Sequence, residues 1–242
     1  MERFDVVIVG AGVAGASLAW ALAPRRRVLL LEREGQPGYH STGRSAATLH
    51  RSYGNAVVRA LTAASAPFYL SPPEGFAEVP LTRPRGVLVV AREDQLGRLE
   101  AEIERSRRFV PKVERLDRAG CLARVPQLRP EAAAAGMLDP TLLDLDVGAI
   151  LAAFLKGARA RGAILRADAR IGGIARDARG WRLALSDADV RGDVVVDAAG
   201  AWADTIAGLA GLEPLGIVPK RRTAITVPTP AGVDVGGWPL VA

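Results

Sequence analysis

The sequence is poor in the residues on which several chemistries depend. Its 242 residues hold one cysteine and two histidines. A single thiol excludes an internal disulfide framework and agrees with a reducing compartment. With only His40 and His50 available, a metal centre built on histidine and cysteine is not expected. Cys121, in LDRAGCLARV, reads as a buried structural thiol in a short helix behind Asp117, because no histidine stands near it in sequence to activate it. Long apolar runs are also missing: no stretch of 18 residues is apolar throughout, so no membrane-spanning helix is expected. The opening MERFDVVIVG does not have the form of a signal peptide, since its short apolar run leads straight into a glycine turn. Lysine is scarce, and the net charge of +6 comes from arginine scattered among many alanines. Scattered arginine reads as composition bias and not as a phosphate-binding stripe, so no nucleic-acid partner is expected.

What is present describes an ordinary globular chain, 49% hydrophobic and 24% charged. Asp5 to Val9 is a continuous apolar, β-branched run, as in a parallel strand buried on both faces. A glycine turn follows, then a helix over Ala16 to Ala23 closed by Pro24, then a second strand over Arg27 to Leu31: a βαβ unit. Further helices are expected over Val57 to Phe68, around Leu96, Leu99 and Ile103, from Val147 to Ala158 behind an Asp146 cap, and over Trp202 to Ala210. Strands are expected over Gly86 to Ala91, Ala163 to Arg166, Ala169 to Ala175, Trp181 to Leu185, Val190 to Arg191 and, fully buried, Asp193 to Asp197. A longer strand is expected over Ile217 to Val227, carrying Lys220, Arg221 and Arg222. The last residues, GGWPLVA, read as a strand just beginning, so the chain is expected to be a C-terminally truncated piece.

GAGVAG, residues 10–15, fits G-x-G-x-x-G with a strand before it and a helix after it. Gly10 permits the turn, Gly12 lets the backbone approach a pyrophosphate, and Gly15 lets the helix pack on the strand; Ala14 belongs to the same turn. Glu32 ends the second strand about 20 residues on, where a carboxylate accepts hydrogen bonds from ribose hydroxyls. A nicotinamide-binding domain would continue with another α/β crossover. This chain instead runs into the polar loop after Arg33 and returns to a parallel-type strand only at DVVVDAAG, the interrupted arrangement used by FAD-dependent oxidoreductases.

At these segments the chain resembles the D-amino-acid oxidase superfamily of flavoproteins, and within it the D-arginine/D-amino-acid dehydrogenase branch. The resemblance rests on DVVIVGAGVAGAS, LEREGQPGYHSTGRSAA, YGNAVVRALTAAS, DVVVDAAGAWAD and PLGIVPKRR, spread over essentially the whole chain. It implies an α/β fold: a Rossmann-like FAD-binding domain of glutathione-reductase type, interleaved with a mixed-sheet α+β substrate domain. The expected division is residues 1–80 and 141–212 for FAD, and 81–140 and 213–242 for substrate. The loop His40, Ser41, Thr42, Gly43, Arg44, Ser45, Ala46, Ala47 and Thr48 would wrap the pyrophosphate and pass the isoalloxazine. Ile171 would meet adenine through its backbone, and Ala199 and Gly200 would close over the cofactor.

The implied reaction oxidises a D-amino acid to its imine, with hydride passing to FAD and the imine then hydrolysing to a keto acid and ammonia. Tyr53 and Arg222 are the expected substrate contacts, the guanidinium pairing with the α-carboxylate, and Thr48, His50 and Val87 lie beside them in sequence pattern. No residue is assigned as acid or base, because alignment and the flavin do most of the work. Two departures from the branch stand out. Thr48 occupies the place of a histidine, with His50 two residues on, and Val87 stands where an acidic residue could grip a cationic side chain. Neutral or apolar amino acids are therefore expected over basic ones. A glycine, sarcosine or 2-hydroxy-acid oxidoreductase, or an FAD-binding fragment without turnover, are the alternatives. The electron acceptor is open among oxygen, quinone and other carriers, and the expected location is the cytoplasm, free or peripheral to the membrane.

Overall fold

The first strand is apolar on both sides because helices and strands cover both of its faces. In the computed structural model, which describes residues 1–221 and 223–242, β1 (Glu2–Val9) leads through the glycine turn into α1 (Val13–Leu22) and then β2 (Val28–Leu31). The chain next visits β3 (Thr48–Leu49), α2 (Ala56–Leu70), β4 (Thr82–Pro84), β5 (Val87–Ala91), α3 (Leu96–Arg107), β6 (Glu114–Asp117), α4 (Arg118–Arg124), β7 (Ala135–Asp139) and β8 (Leu143–Leu145). It returns with α5 (Val147–Ala160), β9 (Ile164–Arg166), β10 (Ile171–Asp177), β11 (Gly180–Leu185), β12 (Val190–Asp197) and α6 (Ala203–Leu209); β13 (Leu240–Val241) comes last.

These elements form two units: residues 1–46, 74–79 and 147–223, and residues 47–73, 80–146 and 224–242. In the first unit six strands run in the order β10-β11-β12-β1-β2-β9, with β1 parallel to both β12 and β2. Val7, Val9, Leu29 and Leu31 face Ile174, Leu183 and Val190 on one side. Val6, Ile8, Val28 and Leu30 face Ala19 and Ala158 on the other, under α1 and α5. Each such buried side chain contributes about 2 kcal/mol, which is why β2 is uninterrupted Val-Leu-Leu-Leu. Gly157 lets α5 approach α1, since a Cβ there would stand 2.6 Å from Trp20.

The second unit holds a mixed four-stranded sheet, β13-β5-β7-β6, and a three-stranded sheet, β3-β8-β4. In the mixed sheet β13 is parallel to β5, and the other pairings are antiparallel. In α4 the Asp117 carboxylate caps the Gly120 amide at 2.8 Å, and Cys121 is fully buried. Burial pushes the Cys121 thiol up from its ordinary range. Iodoacetamide is expected to leave this thiol unlabelled in the folded protein and to label it fully in 6 M guanidinium, read by mass spectrometry.

The divisions differ from the sequence expectation at the polar loop. Residues 47–73 belong with the second unit, because β3 pairs with β8 at Thr48–Asp144 and Leu49–Leu143. Residues 213–223 group with the first, where the Asp204 carboxylate accepts from the Leu215 and Ile217 amides at 2.8 Å. Two strand expectations are corrected. Among the described residues, 217–227 contain no strand: Ile217, Val218, Ile225 and Val227 are all exposed, and no neighbouring strand pairs with them. The segment over Asp193 to Asp197 is part of one longer strand and is not fully buried, Val194 being 51% exposed.

Candidate cofactor site

The glycine turn is shaped by what a side chain would strike. Gly10 has φ +103°, and a Cβ there would lie 2.4 Å from the Ala198 carbonyl oxygen. At Gly15 a Cβ would fall 1.9 Å from the Gly10 carbonyl oxygen, so only glycine lets α1 leave the strand at this angle. Gly12 precedes the helix with extended backbone, and a Cβ there would meet the Thr42 hydroxyl at 3.0 Å. The first amides of a helix have no intrahelical acceptor. That of Val13 donates to Thr42 Oγ1 at 3.1 Å, which fixes the polar loop to the helix start. Ala14 and Gly15 supply the next two amides of this electropositive end.

Glu32 buttresses the turn from the other side. Its carboxylate accepts from the Ala11 amide and the Glu34 amide, each at 3.0 Å. The two oxygens are thus engaged once each, and each keeps lone-pair capacity for a further donor. Beyond it, Glu34 accepts from His40 Nε2 at 2.9 Å and Arg33 at 2.7 Å, and these two partners, His40 first, hold its carboxyl below the usual range. The Arg33 guanidinium lies over the Trp202 ring at 4.2 Å, and the His40 ring lies 4.4 Å from the same indole.

These groups surround a cavity of about 490 Å³ in the first unit. Gly10, Gly12, Ala14, Glu32, Arg33, His40, Ser41, Thr42, Ile171, Ala199 and Gly200 all line it. Gly15 does not; it serves helix–strand packing. Gly43 turns away, its amide donating to the Gly38 carbonyl at 2.8 Å, and Arg44 covers the Tyr39 ring at 4.8 Å. Ser45, Ala46, Ala47 and Thr48 also lie off the cavity wall. Ala47 carries a φ of +53°, a left-handed conformation that costs a residue with a Cβ about 1 kcal/mol or more. Trp202, Thr205, Ile206 and Leu209 line the wall as well, and sequence reasoning did not single them out. Thr205, Ile206 and Leu209 lie on α6 and Trp202 just precedes it, and their helical spacing alone does not tell a cavity wall from a core.

Tyr53, His50, Thr48 and Val87, four of the expected substrate contacts, fall in the second unit. Tyr53 is 65% exposed and stacks on His50 with ring centroids 5.7 Å apart. Thr48 is half-buried in β3. Val87 is 1% exposed, enclosed in its own sheet between Asp139 and Leu240, so its side chain offers a ligand no surface there. Arg222 lies outside the described residues.

Comparison with known proteins agrees with this geometry. The family model described as FAD dependent oxidoreductase (DAO) matches residues 5–241. The glycine oxidase of Geobacillus kaustophilus (strain HTA426) is 27% identical over 239 residues, 95% of this chain and 63% of that protein. Its crystal structure superposes with a TM-score of 0.79 at 26% identity, covering 88% of this chain and 60% of that one. Iminodiacetate oxidase from Chelativorans sp. BNC1 gives a TM-score of 0.76 at 26% identity, covering 98% and 65%. An L-alpha-glycerophosphate oxidase from Mycoplasma pneumoniae with FAD bound shares the fold, with a TM-score of 0.79 at 20% identity over 87% of this chain and 58% of that one. The chain therefore spans less than two thirds of the length of the glycine oxidase it matches.

Proposed function

We infer the reaction from one premise: the chain belongs to the DAO family of FAD-dependent oxidoreductases. The residues present fit that cofactor. A glycine turn too tight for any Cβ, the helix start behind it and a carboxylate at the end of the second strand are the three parts a dinucleotide needs. In this reading Glu32 holds the ribose of the adenosine half, the α1 amides and the Ser41 and Thr42 hydroxyls face the pyrophosphate, and Ala199 and Gly200 flank it. Bound FAD supplies a two-electron acceptor for hydride.

The proposed reaction oxidises the Cα–N bond of an amino acid to an imine, which water then hydrolyses to a keto acid and ammonia or, from an N-substituted glycine, to glyoxylate and the corresponding amine. The first substrate class is a neutral D-amino acid. The second is glycine or an N-substituted glycine, favoured by the likeness to glycine oxidase and iminodiacetate oxidase at 26 to 27% identity. The observation that carries the reading is the glycine oxidase likeness, which extends over 95% of the chain. Arg222 is proposed for the substrate carboxylate and Tyr53, His50 and Thr48 for its surroundings. Val87, buried in its sheet, takes no part in the choice of side chain.

Anaerobic bleaching of the FAD-loaded protein by a panel of D-alanine, glycine, sarcosine, iminodiacetate, D-arginine and D-lactate tests this. Neutral amines are expected to bleach the flavin with rate per concentration at least tenfold above that of D-arginine. D-arginine as the best substrate would overturn the side-chain preference. Bleaching by D-lactate alone would move the reaction to 2-hydroxy acids, and no bleaching by any of the six would make the chain an FAD-binding fragment without turnover.

A further inference from the structure

Arg33, Glu34, His40 and Trp202 meet at the edge of the cofactor cavity, all within the first unit. The Arg33 guanidinium lies over the Trp202 ring, 4.2 Å from its centroid. His40 leans on the same indole, with centroids 4.4 Å apart and ring planes tilted by 58°. Glu34 ties the two together. Its Oε1 accepts from Arg33 Nε at 3.1 Å, from Arg33 Nη2 at 2.7 Å and from His40 Nε2 at 2.9 Å. A carboxylate only accepts, so His40 Nε2 carries a hydrogen. Arg33 Nη2 and His40 Nε2, 3.4 Å apart, are therefore two donors sharing one acceptor and not a bonded pair.

This arrangement decides what Arg33 can offer a ligand. Its Nε–Nη2 edge is taken by Glu34, so that edge does not reach for a phosphate. One face is covered by the indole. What remains is the opposite face and Nη1, which donates to none of the described residues. Arg33 itself lines the cavity, and the face away from the indole is the one free to meet a ligand. A guanidinium face is flat and weakly hydrated, and it stacks on aromatic rings. The neighbourhood says which ring. Arg33 follows Glu32, placed above at the ribose of the adenosine half, and the cavity wall also carries Leu31, Ala169, Ile171, Ile206 and Leu209. A purine, apolar on both faces, belongs with such a wall; the pyrophosphate belongs with the α1 amides. Left to itself the Arg33 side chain, 42% exposed, would spread over many rotamers, and an ion pair at that exposure holds it only weakly. The indole beneath it supplies the second restraint.

We propose that Trp202 and Glu34 are positioning residues for the cofactor: they hold the Arg33 guanidinium as a fixed plate whose open face takes the adenine ring. The proposal rests on the reading of the cavity as an FAD site and is independent of the amine-oxidation reaction. Trp202 acts through Arg33 in this scheme, so removing the indole costs affinity only while the guanidinium is there to be held.

ADP is the probe, because it carries adenine, ribose and pyrophosphate without a flavin. It is titrated calorimetrically into the FAD-free protein, with FAD in a parallel series. Arg33→Ala is expected to weaken both ligands about tenfold. Trp202→Ala should match that loss, while Trp202→Phe, which keeps an aromatic plate, should stay within about threefold of the unsubstituted protein. The variant carrying both Arg33→Ala and Trp202→Ala should still lose about tenfold, where two independent contacts would lose about 100-fold. Glu34→Ala is expected to weaken ADP about threefold, since the ion pair is exposed. A loss of 100-fold in the double variant would make Trp202 a separate contact or a support of the fold, and would overturn the positioning role. Tighter ADP binding by Glu34→Ala would show Arg33 acting as a free charge toward the pyrophosphate, and would overturn the plate. Saturable FAD without ADP binding, or ADP affinity unchanged in Arg33→Ala, would overturn the proposal and leave the FAD site standing. Absence of saturable binding of either ligand by the unsubstituted protein would overturn the FAD reading of the cavity and the proposal with it.

Discussion

Gly15→Ala is expected to lower the melting midpoint by roughly 9 °C and to weaken FAD binding at least 100-fold. The new methyl group would stand 1.9 Å from the Gly10 carbonyl oxygen and 3.2 Å from Ile8 Cγ2. The first of these is backbone and has no rotamer to move to, so α1 must shift away from β1. Overpacking of this kind costs about 3 kcal/mol, which for a chain of this length corresponds to the stated change in midpoint. Because the same shift withdraws the helix amides from the turn, stability and cofactor affinity fall together. Gly97→Ala is the matched control: that position lies in α3 with nothing within 4 Å of a new Cβ, and it should melt at or slightly above the parent temperature. An unchanged midpoint and unchanged affinity for Gly15→Ala would remove the packing account of the turn.

Glu32→Ala is expected to weaken FAD by about 100-fold, and to lower the melting midpoint as the Ala11 and Glu34 amides lose their acceptor. The carboxylate holds the Ala11 and Glu34 amides at 3.0 Å each and in the proposed complex also accepts from ribose. Hydrogen bonds to a charged acceptor are worth about 1.5 to 3 kcal/mol each, and two decades in affinity are about 2.7 kcal/mol. The effect should depend on the ligand. FMN, which has no adenosine half, should bind the parent and the variant equally well. Equal loss of FAD and FMN in Glu32→Ala would show that the carboxylate acts only through the shape of the turn.

The parts of the molecule that the sequence announced are those whose burial is local and two-sided. VVIV and VLLL are continuous because both faces of β1 and β2 are covered, and Gly15 between them is forced by the Gly10 backbone in the same short stretch. The second unit was harder to read. Ala135–Asp139, the central β7, has the sequence AGMLD with no β-branched residue, and it is a strand because β5 and β6 pair with it on either side. Ile217 to Val227 shows the opposite: strong β composition, exposed side chains and no paired neighbour among the described residues, and therefore no strand. Composition states what a segment prefers; pairing decides what it becomes. At the cofactor cavity the glycines and Glu32 were legible because their spacing is short. The inner wall from Trp202 to Leu209 was legible only as a helix, since nothing in its period says that the apolar face borders a cavity and not a core. The hydrogen bond from Ser52 to Asp139 spans 87 residues, and no local pattern could have announced it.

The central claim is that this chain itself forms an FAD site in its first unit. The most direct measurement is an equilibrium titration of the purified protein with FAD, followed by flavin fluorescence, beside Glu32→Ala under the same conditions. Saturation at one FAD per chain, with the variant about 100-fold weaker, is the expected result. Absence of saturable binding, or binding that Glu32→Ala leaves unchanged, would contradict it.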